Sequence, residues 1–369
     1  MKRIALTPEI DNWAHQFQAD MLYKTPHIES SIACKNLKEL ISKISKGWLV
    51  PLDITDKNGN LQYAQRNPTE LTAYIKKIKD EYKTLLAIHP SNFIGKIREF
   101  ERLIDTNEVC MIELNQIQNA NGVIKPSKKK FFHELLVQAM RYDYVQSKVF
   151  PKYIRLLGIK TCVYCNSQYA ITTKSGESLY QLDHCLPKSR YPYFSTSFFN
   201  LQPCCGSCNL RKSANDMLYG NSFATIWREN NEPDIDYFSF LLKDFSLINY
   251  LLSHKKDDLE IEFTVENDAS ADLNSLYRDY QEYFKIDSLY AEHKDVAEEI
   301  VWKKYVYSNA YLKSLHSAFM AWTKKYDSEL SRLIMGNYMN KDEVYKRPLS
   351  KLVQDIAKQL HINFEQKDE

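Results

Sequence analysis

Two C-x-x-C pairs, Cys162-Val-Tyr-Cys165 and Cys205-Gly-Ser-Cys208, set the first expectation for this chain. Four thiolates in two such steps make a closed tetrahedral Zn²⁺ site, which is structural because it keeps no position open for substrate. The 39 residues that separate Cys165 from Cys205 are too many for a minimal zinc ribbon. A clamp around a functional loop accounts for such an insert. In it lie Asp183-His184 and Asn200-Leu201, and Asn209 follows the second pair directly. Asp183 and the side-chain oxygen of Asn209 suit a hard divalent cation such as Mg²⁺, which takes oxygen ligands and keeps positions for a phosphate. His184, neutral near pH 7, can deprotonate an attacking water. Asp183, His184, Asn200 and Asn209 are therefore the expected second site, and its chemistry is phosphodiester hydrolysis. Cys204 competes with Cys205 as a zinc ligand, and Cys205 is preferred because it keeps the C-x-x-C step. Cys185 is expected on the other strand face. Cys34 and Cys110 read as plain buried residues.

The elements that must hold these groups read as strand, strand, helix. Residues 168–173 predict a strand, Lys174-Ser-Gly-Glu177 a turn, and 179–186 a returning strand that carries Asp183-His184. A loop rich in proline and aromatic residues follows from Pro187 to Pro203, then a short helix from about Ser207 to Asn215. Alternation along a strand would point Asp183 and His184 to opposite faces, so a strand end or bulge is expected there. Upstream, residues 69–101 carry apolar residues at helical spacing (Leu71, Tyr74, Ile75, Ile78, Tyr82, Leu85, Leu86), broken near His89-Pro90. Ser127 is a candidate N-cap for a helix from Lys128 to Phe150, ended by Pro151. Turns are predicted at Asp56–Asn60 and Asn119–Gly122. Downstream, Ile261–Val265 reads as a strand, Phe284–His293 opens a long helical stretch to about Met335, and a last helix begins within Arg347–Leu352.

The run LDHCLPKSRYPYFSTSFFNLQPCCGSCNLRK resembles the HNH endonucleases, the ββα-metal fold with zinc knuckles. The resemblance covers residues 160 to 216. It implies that Asp183 binds the catalytic metal, that His184 is the general base, that Asn200 orders the loop by hydrogen bonding, and that Asn209 completes the metal site. The spacing from Asn200 to Asn209 is similar to the version with Asn in last place, as in the HNH domain of RNA-guided nucleases. With one motif histidine only, Mg²⁺ or Mn²⁺ is favoured over a transition metal. More loosely, the segment Asp183–Asn209 is similar to HNH nucleases of bacterial phage-defence systems such as Septu. That implies a regulated nuclease paired with an ATPase.

The 369 residues are 44% hydrophobic and 26% charged, as in a globular protein, and the net charge of +2 does not mark a strongly basic nucleic-acid binder. Locally the balance tilts. Between Lys160 and Asp216 six basic residues stand against three acidic ones. Lys188, Arg190, Arg211 and Lys212 are the expected phosphate contacts. Lys125, Lys128, Lys129, Lys130, Lys148, Lys152 and Arg155 read either as a basic stripe leading into the module or as a solvated helix face. Tyr191, Tyr193 and Phe194 are expected to pack against the zinc lobe rather than stack on bases. His133, Glu134 and His293 are read as ordinary helical positions. The N-terminus has no apolar signal segment and no run spans a bilayer, so a cytoplasmic location is expected.

The expected architecture is mostly α, with a small central α+β module held by a four-cysteine zinc site. The divisions are 1–150, 151–216 and 217–369, and the two helical flanks are expected to pack as one body. The expected function is cleavage of double-stranded DNA. RNA cleavage and a non-catalytic, zinc-stabilised nucleic-acid-binding scaffold are the competing readings.

Overall fold

A computed structural model describes residues 3–362 apart from 23–30, 56–60, 118–120, 123–128, 217, 220–221, 224, 231–237, 266–269 and 324–326. The described chain is mostly helical, with small two- and three-stranded sheets. The turn at Asp56–Asn60, the first two residues of Asn119–Gly122, Lys125, Lys128 and the Ser127 cap lie outside the described residues.

The N-terminal flank follows its sequence pattern closely. The helix Pro68–Leu86 opens with Pro68 at its first position and the Asn67 side chain accepting from the Thr69 amide at 2.9 Å. Its apolar stripe, Leu71 to Leu86, is entirely buried. His89-Pro90 breaks the helix into a 3-10 turn (Pro90–Asn92), and a new helix runs over Phe93–Glu101. These two helices grip the loop that follows Pro187. Tyr193 stacks on Phe100 with centroids 3.9 Å apart, Phe194 lies 4.6 Å from Phe93, and Ser197 Oγ donates to the Leu85 carbonyl at 2.5 Å. Tyr191, Tyr193 and Phe194 are thus core residues.

The expected Lys128–Phe150 helix is different. Lys130–Phe131 is a strand, the helix starts at Phe132, and Arg141 interrupts it in the left-handed region (φ 65°). Tyr142–Tyr144 and a π-turn over Val145–Val149 then lead into the helix Phe150–Leu156. Pro151 sits in the first turn of that helix rather than ending one, because a first-turn residue has no intrahelical partner for an N–H. The expected 150/151 division therefore falls inside a helical stretch.

The expected hairpin is also repartnered. Ile171–Thr172 pairs with Ser178–Leu179, whereas the strand bearing the site residues, Gln181–His184, pairs antiparallel with Leu201–Cys204. In that ladder Gln202 stands opposite Asp183 and Leu201 opposite His184. The helix Gly206–Lys212 follows at once.

In the C-terminal flank, Ile261–Val265 is a strand as expected, paired with Phe238–Leu242. The long helical stretch is a series: Ala271–Phe284, Ile286–Ala291, Lys294–Val306, Asn309–Thr323 and Asp327–Met335, with Lys285 at φ 53° breaking the first from the second. The last helix is Ser350–Gln359. Both flanks pack on the central segment. They also meet each other where Ile4-Ala5 pairs in parallel with Trp227-Arg228, and the Trp227 indole donates to the Phe199 carbonyl at 3.0 Å. Among the described residues no helix is long and apolar enough to cross a membrane.

Candidate functional site

Cys162, Cys165, Cys205 and Cys208 bring their four sulfurs within 4.8 Å of one another. A Zn–S bond of about 2.3 Å implies S–S edges of about 3.8 Å in a tetrahedron, so a small contraction would close the cluster on an ion. The donor set is all sulfur, which suits a structural metal such as zinc. Each knuckle is built locally. The Asn166 amide returns to the Cys162 carbonyl at 2.9 Å, with Asn166 in the left-handed region (φ 51°). The Cys205 sulfur accepts from the Cys208 amide as the helix N-cap. Asn166 is wholly buried and stitches the knuckle to the C-terminal flank. Its side chain donates to the Val344 carbonyl at 2.9 Å and accepts from the Lys351 amide at 3.1 Å. Cys204 is outside the cluster. Burial raises its thiol pKa far above the ordinary value, and its sulfur lies 3.7 Å from the Gln181 carbonyl. Burial likewise pushes Cys185 up to about 12.

Asp183 and His184 end the Gln181–His184 strand and, with Asn209, line one cleft of about 590 Å³. The ladder carries no bulge. His184 is the last residue of the strand and still pairs in register with Leu201. Its Nε2 lies 3.0 Å from the Ser195 carbonyl. A carbonyl only accepts, so Nε2 carries the proton and Nδ1 of the neutral ring keeps its lone pair. Burial, then the nearby Lys188 charge, depress the His184 pKa to about 3, with a smaller push from Lys212 and against an opposing effect of the Ser195 carbonyl. The ring is held by Tyr142, whose centroid is 4.6 Å away and whose hydroxyl donates to the Leu182 carbonyl at 2.6 Å.

Among the described residues, every hydrogen bond and ion pair of the Asp183 carboxylate falls on Oδ2, which accepts from the Tyr164 hydroxyl and lies 3.2 Å from Lys212 Nζ. Oδ1 is left for another partner. Asn200 is wholly buried. It accepts from the Leu186 amide at 2.8 Å and donates to the Leu186 and Phe194 carbonyls, both at 3.1 Å. It shapes the loop and does not line the cleft.

Of the four expected phosphate contacts, Lys188 alone lines the cleft, its ammonium 4.5 Å from the Tyr142 ring. Lys212 is a correction. Its side chain is 0% exposed and bonds the His184 carbonyl at 2.7 Å as well as Asp183, so no backbone phosphate reaches it. Arg190 is tied to Asp216 and to Asn107 Oδ1, and Arg211 donates to the Phe284 carbonyl at 3.3 Å. In the upstream stripe, Lys129 pairs with Glu113 and Lys152 with Asp20. The cleft also takes in His133 and Glu134, read from the sequence as ordinary helical positions, and Asp143, which sequence reasoning left out. They sit on helices that only the tertiary fold brings to the strand, so no local signal marks them. His293 does not line this cleft.

No protein-family model, curated protein or solved structure matches this chain.

Proposed function

We propose that this chain is an HNH-type, metal-dependent endonuclease that hydrolyses phosphodiester bonds of DNA. The observation that carries the proposal is the shared cleft, in which Asp183 keeps Oδ1 uncommitted and His184 keeps the Nδ1 lone pair. The antiparallel strand pair followed at once by the helix that bears Asn209 supports a ββα-metal arrangement. Asp183 and Asn209 would hold Mg²⁺ or Mn²⁺. Two protein oxygens fit a hard cation that retains most of its waters. The chemistry that such a cation supplies when bound is polarisation of a phosphoryl oxygen and stabilisation of the leaving oxygen. His184 accepts the proton of the attacking water on Nδ1, while the Ser195 carbonyl and the Tyr142 ring keep the imidazole in orientation. Lys188, at the cleft wall, faces the incoming phosphate. The looser resemblance to phage-defence nucleases adds a regulated effector with an ATPase partner.

The test is cleavage of supercoiled plasmid by wild type and His184→Ala with Mg²⁺, Mn²⁺ or EDTA. Loss of a general base is expected to cost about 10²–10⁴-fold in rate, and EDTA should abolish cleavage. Undiminished cleavage by His184→Ala would remove the assignment of the base.

A further inference from the structure

One of the two residues between Cys162 and Cys165 reaches the other site. Tyr164 is 2% exposed, and its hydroxyl meets Asp183 Oδ2 rather than solvent. The direction of that bond follows from donor accounting. Gln202 Nε2 donates to the Tyr164 oxygen at 2.5 Å and occupies a lone pair. The single hydroxyl proton is then left for the carboxylate, which only accepts. Gln202 is placed for this by the ladder, directly opposite Asp183. Tyr164 and Lys212 thus fix Oδ2 from two directions, which sets the plane of the carboxylate and turns Oδ1 to the remaining partner.

The other end of Tyr164 is held from the C-terminal flank. Its ring stacks on Phe284, with centroids 4.6 Å apart and planes 21° from parallel. The carbonyl of the next residue, Cys165, accepts from the Tyr290 hydroxyl at 2.6 Å. A closed zinc site needs its four cysteines and nothing of the residues between them, and the proposed hydrolysis gives Tyr164 no part. The placement of Tyr164 is explained by neither site alone.

We infer that Tyr164 is a positioning residue that ties the zinc knuckle to the Asp183 carboxylate and thereby sets the affinity of the catalytic site for its divalent cation. The inference rests on the nuclease reading of that site. Partners that orient a metal ligand typically contribute about 10–100-fold to metal affinity or activity. The stack on Phe284 extends the same support into the C-terminal flank.

The experiment titrates Mn²⁺ into the zinc-loaded full chain and follows the free-ion signal by electron paramagnetic resonance. Wild type, Asp183→Ala, Tyr164→Phe and Phe284→Ala are compared, with zinc content and far-UV dichroism measured on each. Tyr164→Phe keeps the ring and loses only the donated proton. It should retain one zinc per chain and the wild-type dichroism, weaken Mn²⁺ binding by about 10–100-fold, and shift half-maximal plasmid cleavage to higher Mn²⁺ by a like factor. Phe284→Ala should weaken Mn²⁺ binding in the same direction by a smaller factor. Wild-type Mn²⁺ affinity in a zinc-replete Tyr164→Phe overturns the inference and leaves the nuclease reading standing. Loss of zinc from Tyr164→Phe also overturns it, by reducing the residue to a part of the knuckle. If Mn²⁺ binds wild type and Asp183→Ala alike, the cation site itself fails and both readings fall.

Discussion

Acidification should destabilise this protein through His184 in a way that a non-titrating variant escapes. The ordinary histidine pKa is about 6.5, and in the fold it is depressed to about 3, first by burial and then by the charges of Lys188 and Lys212. Between these values the unfolded chain binds a proton that the folded chain refuses. Stability from this group is therefore fully present above about pH 6.5 and is lost progressively as pH falls toward 3. At 1.36 kcal/mol per unit, the full window is worth about 5 kcal/mol, and the part lost by pH 5 is about 2 kcal/mol. His184 is buried, so solvent screening does little to reduce this order of magnitude. Denaturant unfolding of zinc-loaded wild type and His184→Asn at pH 7.5, 6.5, 5.5 and 5.0 provides the assay. The acid sensitivity of the four-cysteine cluster is common to both and cancels in the difference. Wild type should lose about 2 kcal/mol more than His184→Asn on going from pH 7.5 to 5.0. Parallel curves would show that His184 is open enough to take up a proton in the folded state, and would refute the buried, neutral imidazole.

Two further perturbations separate structural from phosphate-binding roles. Cys162→Ser opens the four-sulfur cluster, so zinc content by atomic absorption should fall below one per chain and soluble yield should drop; full zinc in a stable variant would exclude Cys162 as a ligand. Lys212→Met leaves the Asp183 carboxylate short of a partner and the His184 carbonyl unpaired, which should lower unfolding free energy by about 3–5 kcal/mol. On the nuclease reading it should leave the salt dependence of DNA binding unchanged, whereas a slope reduced by about one with unchanged stability would restore Lys212 as a phosphate contact.

Much of the site was legible because its chemistry is local. A C-x-x-C step forms a knuckle within its own few residues, and Asp183, His184, Asn200 and Asn209 stand out by type and spacing between and beside the knuckles. The helix Pro68–Leu86 was legible for a similar reason, since its apolar period, its Asn67 cap and the Pro90 break all lie in the sequence. The strand Leu201–Cys204 was not. Pro203 donates nothing to a ladder and normally argues against a strand, but a two-stranded sheet consists of edges only and tolerates it.

Charge misled where burial decides. Lysine at position 212 reads as solvent-facing, because nothing in the neighbouring residues tells that helix Gly206–Lys212 turns it inward onto Asp183. Tyr164 drew no reading from the sequence, and only packing shows it spanning from Phe284 to the carboxylate. His133, Glu134 and Asp143 reach the cleft because the helices that carry them lie across the strand pair, far from it in sequence. The sequence by itself determined which atoms can ligate and which can take a proton, since those are properties of residue type. Only the tertiary structure decided which oxygen of Asp183 is uncommitted, which nitrogen of His184 is protonated and which lysine is out of reach of solvent. Those depend on partners brought together across long separations, and no local propensity encodes them.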